Sequence, residues 1–120
     1  MYATRRELGG GVVVSQIHEI DYLQWLFGMP RRVTALGGHM SSLDMDVEDV
    51  ASVLLECGSE VSPLPISLYM DFLQRPPCRS LEVMGDRGRV VIDFRQLTLV
   101  HFGVNGEVEC SEALKGFERN

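Results

Sequence analysis

The chain has 120 residues, enough for one domain with a single core that buries roughly two thirds of the surface of the unfolded chain. Its 17 acidic and 11 basic residues give a formal charge of −6, and no Lys/Arg cluster appears, which excludes the basic footprint that binding a nucleic-acid backbone requires. No apolar run reaches the roughly 18 residues of a membrane span, and apolar content of 45% with charged content of 23% is ordinary for a soluble globular protein. The basic start MYATRREL leads into glycines instead of a secretory apolar core, so no leader is read there. Cys57, Cys78 and Cys110 are odd in number and widely spaced without a CxxC pair, a pattern expected of reduced thiols in a cytoplasmic protein.

In chain order, the first element is a helix within GGGVVVSQIHEIDYLQWLFG, Gly9 to Gly28. Val13, Ile17, Ile20 and Phe27 recur at three- and four-residue steps interrupted at Gln24, with Val14, Trp25 and Leu26 widening the stripe. Gly28 and Pro30 supply the stop: glycine takes the left-handed cap, and proline cannot extend the helix. Ser15, His18 and Tyr22 share a second, polar face with Asp21 beside it, so the helix is expected to line a cleft as well as a core. His18 should then project away from the Val13–Ile17–Ile20 stripe; the competing reading is a buried histidine held by a carboxylate.

Arg32 to Gly38 reads as a short strand and Ser41 to Glu48 as an acidic loop. DVASVLLEC from Asp49 alternates, with Ala51, Val53 and Leu55 on one face and Val50, Ser52 and Leu54 on the other. Gly58 to Pro65 carries turn residues. In ISLYMDFL, Ile66, Leu68, Met70 and Phe72 face one way and Ser67, Tyr69, Asp71 and Leu73 the other. The adjacent Pro76 and Pro77 exclude a central strand from Gln74 to Arg79. SLEVMG and RVVIDF flank Asp86-Arg87-Gly88, and LTLVHF and EVEC flank Val104-Asn105-Gly106, two hairpin signals. One helix and about six hairpin-linked strands predict an α+β domain: a mostly antiparallel open sheet with helix on one face. The opposite sheet face, with Tyr69, Leu73, Val91 and Val100, is too apolar for water and is expected to find a partner.

Several chemistries are weighed and set aside. DMDVED, Asp44 to Asp49, opens like a calcium loop, but Asp49 stands where a glycine is needed and Leu55 where a bidentate glutamate is needed. His18, His39 and His101 share no metal-ligand spacing, and Ser15 with His18 lacks a nucleophile elbow. Gly9-Gly10-Gly11 lacks the GxGxxG spacing and the strand of a dinucleotide site. It reads as backbone passing close to something at a helix N-terminus, where a polar or anionic ligand group would be favoured.

GGGVVVSQIHEIDYLQWLFG, DVEDVASVLLE and YMDFLQRPPCRSLEVMGDRGRVVIDF together resemble the C-terminal domain of the glucose–fructose oxidoreductase/inositol dehydrogenase/MocA family, across about Tyr2 to Asn120. The resemblance implies an α+β domain with an open sheet that supplies substrate contacts and an oligomer interface beside a Rossmann domain for NAD or NADP. It places His18 at the family's helix histidine, which contacts the substrate hydroxyl and assists proton transfer. Ser15 stands where many members carry an aspartate, and serine cannot supply the charge that stabilises an imidazolium. Gln16 and His18 therefore resemble a Gln-Ile-His-Glu variant whose first task is substrate contact. Gln74 and Arg75 lie in the family's second contact region, where Arg75 is suited to a carboxylate or sugar hydroxyls. The Rossmann fingerprint and the family's Glu-Lys-Pro lysine are not in this chain, and GFERN resembles the approach to the family's last long helix.

These readings define a fragment of a two-domain enzyme: residues 1–120 as one substrate-binding and oligomerisation domain, with no cofactor or metal bound by this chain itself. The expected ligand is a sugar or polyol, the expected partner a second copy, and the expected redox cofactor of the full enzyme NAD or NADP. The alternative is a stand-alone dimerisation or sugar-binding module that catalyses nothing.

Overall fold

The computed structural model describes residues 10–113. Gly9, the basic start and the GFERN end, on which several of the sequence readings rest, lie outside the described residues. Two short helices, α1 (Val12–Ser15) and α2 (Ile17–Phe27), precede seven strands: β1 (Arg32–Gly38), β2 (Val50–Gly58), β3 (Pro63–Asp71), β4 (Ser80–Gly85), β5 (Gly88–Asp93), β6 (Thr98–Phe102) and β7 (Val108–Ala113). All pairing is antiparallel. The chain forms two compact units, Met1–Gln74 and Arg75–Asn120.

The single open sheet expected from the sequence is corrected to two. The first unit holds β1-β2-β3, and the second holds β4-β5-β6-β7. Tyr69 and Val91 therefore belong to different sheets rather than to the one sheet expected. The architecture is mainly antiparallel β with little helix, and the helical layer expected across one sheet face is not seen among the described residues.

The core lies in the first unit. Val12, Leu23, Val47, Ala51, Leu55, Cys57, Leu68 and Met70 are buried, and Met70 and Cys57 are the most enclosed side chains of β3 and β2. In register, Ala51 faces Met70, Val53 faces Leu68 and Leu55 faces Ile66, so the alternating positions meet across the pair. The other face carries Leu36, Ser52, Leu54 and Tyr69. β3 begins at Pro63, within the segment predicted to be turn. As an edge strand it tolerates Pro63 and Pro65, because a proline costs no ladder hydrogen bond where the strand has no neighbour. The turn narrows to residues 59–62, closed by Ser59 N–H to the Ser62 carbonyl at 3.1 Å, and Gly58 enters it with φ of 76°.

The second unit is a single layer. Among its described residues only Gly103 is buried, and the apolar side chains of β5 and β6 are half-buried. Leu81, Ile92 and Leu99 form one cross-strand row, and Val91 and Val100 sit on the reverse face. Both hairpins form as predicted, with Gly88 at φ 130° and Gly106 at φ 86°. A Cβ on Gly88 would lie 1.9 Å from the Phe102 carbonyl oxygen, so the sheet closes there only with glycine. Cross-strand Arg89 and Phe102 stack with the guanidinium 5.0 Å from the ring centre, and Arg79 stacks on Phe94 at 4.7 Å.

Candidate functional site

The helix that carries the predicted site is broken where no glycine or proline marks it. Gln16 adopts φ −113° and ψ 32°, separating the one turn of α1 from α2. The break rotates the faces. Leu23 and Glu19 are the buried residues of α2, whereas Ile17, assigned to the core stripe, is 48% exposed and Trp25 is 84% exposed. Ser15 and His18, predicted to share a face, are parted: Ser15 Oγ is enclosed, and His18 is exposed one residue into α2. The buried-histidine alternative therefore fails for packing reasons. Tyr22 donates its hydroxyl to Glu19, which turns that pair inward along the helix. Gly28 ends α2 with φ 84°, its N–H bonded to the Gln24 carbonyl at 2.8 Å.

Ser15 Oγ finds no hydrogen-bond partner among the described residues. An orphaned buried hydroxyl is a liability of roughly 1–3 kcal/mol. Ser15→Ala is expected to leave stability unchanged or raise it by up to about 1 kcal/mol, since it deletes the unsatisfied group without opening a large void. Denaturant melts compared with the parent chain check this, and a clear loss of stability would mean that the hydroxyl has a partner.

Gln16 is anchored. Its Nε2 donates to the Asp71 carbonyl at the end of β3, at 2.9 Å, fixing the side chain beside the first turn of α2 where His18 stands. The two residues of the predicted Gln-Ile-His-Glu contact are thus held on one short stretch of the first unit. Arg75 is exposed and opens the second unit, so the predicted contacts are divided between the two units.

The glycine run is answered by a carboxylate from the chain itself. Val12 N–H donates to the Glu48 carbonyl at 3.1 Å and Val13 N–H to Glu48 Oε1 at 3.4 Å. Gly11 has φ 122°, and a Cβ there would lie 2.5 Å from Glu48 Oε1. Among the described residues, the group that meets this helix start is the Glu48 carboxylate.

The acidic loop has a centre that the sequence reading missed. Asp49 is fully buried. Its Oδ1 accepts Met40 N–H at 2.8 Å, and its Oδ2 accepts Ser41 N–H at 3.1 Å together with the Ser41 hydroxyl. Ser41 Oγ in turn accepts Leu43 N–H at 3.1 Å. His39 Nε2 lies 2.8 Å from the Leu43 carbonyl and 3.8 Å from Asp49 Oδ2. Burial pushes the Asp49 carboxyl up, but the Met40 and Ser41 hydrogen bonds and the charge of His39 outweigh it and hold the group below its usual 3.8. A folded-state value below the unfolded one contributes stability that is present above the unfolded value and lost as pH falls through the folded one. The loop should therefore stay closed at pH 4 and open in stronger acid. NMR titration of the Asp49 carboxyl carbon is expected to give a midpoint below 3.8, and a midpoint at or above it would remove the capping role. A carboxylate directly before an apolar strand was the available signal, because Asp in that position characteristically ties its own loop.

Tyr69 lies on the outer face of the three-stranded sheet, 54% exposed. The hydrogen bond to Asp71 raises its phenol above 10.0, followed by partial burial and the charges of Asp71 and Asp49. No helix among the described residues is long and apolar enough to cross a membrane.

The family model for the GFO/IDH/MocA C-terminal domain matches residues 2–91, three quarters of the chain, and the chain belongs to that oxidoreductase family as a C-terminal domain. Comparison with curated proteins and with solved structures returns no match.

Proposed function

We propose that the chain is the substrate-binding and oligomerisation domain of an NAD(P)-dependent sugar or polyol oxidoreductase. The observation that carries this reading is the exposed His18 beside the anchored Gln16, within the region that matches the family. Gln16 orients a hydroxyl of the substrate; Arg75, in the second unit, is by itself suited to vicinal hydroxyls or a carboxylate. His18 accepts or shares the proton of the hydroxyl whose carbon gives up hydride. Ser15 offers it no negative charge, so His18 acts first by binding and second as a base. NAD or NADP would accept the hydride from a Rossmann domain, and no step in this chain is assigned to it. The three unpaired cysteines, two of them exposed, suit a reducing cytoplasm.

The reading is tested by titration. The isolated chain is expected to bind neither NAD nor NADP saturably in the micromolar range and to oxidise no polyol. The same sequence joined to its Rossmann domain is expected to reduce NAD or NADP with a polyol or sugar. Micromolar cofactor binding by the isolated chain would overturn the division of labour. A stand-alone assembly module is the second reading, favoured by the single-layered second sheet and by Leu36, Leu54 and Tyr69 exposed on the first. It predicts self-association without polyol binding or oxidation in any context.

A further inference from the structure

The hydrogen bonds around α1 close a ring. From Glu48, contacts at 3.1 Å and 3.4 Å hold Val12 and Val13, the first residues of α1. The other end of that turn is Gln16, whose Nε2 reaches the Asp71 carbonyl at 2.9 Å. The next residue, Phe72, donates its N–H to the Asp49 carbonyl at 3.0 Å, and Asp49 is bonded to Glu48. Loop, helical turn and the end of β3 thus hold one another in a circuit. Asp49 anchors it with every polar group it has: its N–H goes to the Gly38 carbonyl at 3.1 Å, and both carboxylate oxygens are occupied by Met40 and Ser41.

We propose that Glu48 and Asp49 form a clamp that positions the Gln16–His18 segment for ligand, making both of them positioning residues of the site. The proposal rests on the substrate-binding reading of Gln16 and His18 and adds the residues that fix their place. α1 is a single turn and cannot hold itself, because one turn of helix repays too little of the entropy it fixes. Its orientation therefore comes from the groups gripping its two ends. The Asp49 position demands a carboxylate: two oxygens meet three donors, and an asparagine would turn its own N–H groups toward one side of them. Glu48 needs only an acceptor, so glutamine can replace it.

Native-state hydrogen exchange read residue by residue tests the clamp without any ligand. Asp49→Asn is expected to speed exchange not only at Met40 and Ser41 but also at Val12, Val13 and Phe72, by about tenfold or more, with the central β2 amides at parent rates. Glu48→Ala should do the same at Val13, and Glu48→Gln should restore it to within about threefold. Acceleration confined to Met40 and Ser41 would overturn the proposal, since Asp49 would then serve only its own loop. Should Asp49→Asn fail to fold, Gln16→Leu cuts the ring on the far side. It is expected to speed Val12 and Val13 while leaving Met40 and Ser41 unchanged, and parent rates at Val12 and Val13 would overturn the clamp equally. Titration with myo-inositol separates this from the function itself. With binding by the parent chain, Glu48→Ala should weaken it about tenfold, and an unchanged affinity would refute positioning. With no binding by the parent, the substrate reading fails, and the exchange rates alone decide whether the ring exists.

Discussion

Replacing His18 with alanine in the two-domain enzyme proposed above is expected to lower kcat/KM by about 10²-fold or more, within the range a positioned acid–base group contributes. The melting temperature should hardly move. His18 is exposed, and removing its imidazole leaves no cavity and no buried partner without a bond. That separation of effects is the physical content of its position: a histidine enclosed in a core would cost roughly 1–3 kcal/mol of stability when truncated, through the group it abandons. Because Ser15 provides no carboxylate to stabilise an imidazolium, part of the loss should appear in KM and only part in kcat. Steady-state kinetics on a polyol substrate beside a thermal melt decide the matter. Unchanged KM and kcat would take His18 out of the site, and a large fall in melting temperature would return it to the scaffold.

The strands were readable because their information is local. DVASVLLEC and ISLYMDFL alternate cleanly, and the structure pairs their buried positions as Ala51 with Met70 and Leu55 with Ile66. The Asp86-Arg87 and Asn105-Gly106 turns carry residues chosen by backbone torsion. What the sequence concealed was non-local. Nothing in VVVSQI shows that Gln16 leaves the helix, and the side-chain hydrogen bond it makes there is to Asp71, 55 residues away. The apolar period was therefore drawn straight through the break, and Ile17 was assigned to a core it does not enter. The division into two sheets was equally hidden: alternation says that a strand has two faces, not which strand lies beside it. Asp49 was read only as the residue that breaks a calcium-loop pattern in DMDVED, because its contacts depend on Met40 and Ser41 folding back over it. His18 and Gln16 are proposed as contacts through the family motif, whereas the hydrogen bonds of Glu48 and Asp49 become visible only once the loop is closed.

The outer face of the three-stranded sheet yields the second large effect. Registration places Leu36 and Tyr69 on either side of Ser52, with Leu54 two residues along on the same face. Leu36 is 74% exposed and Tyr69 54%, and no helix among the described residues covers them. Two such faces are expected to associate back to back with more than about 1,000 Å² buried in total, the usual floor for a specific interface. The double variant Leu36→Glu with Tyr69→Lys should weaken that dimer by about 100-fold or more, since a central aromatic or aliphatic anchor is commonly worth roughly 2 kcal/mol and 1.4 kcal/mol is tenfold in Kd. The fold itself should survive, because neither side chain is in the core of Leu55, Leu68 and Met70. Sedimentation velocity over a concentration series reads the result directly. A parent chain that stays monomeric at high concentration, or a double variant with the same dimer constant, would show that this face meets something other than its own copy.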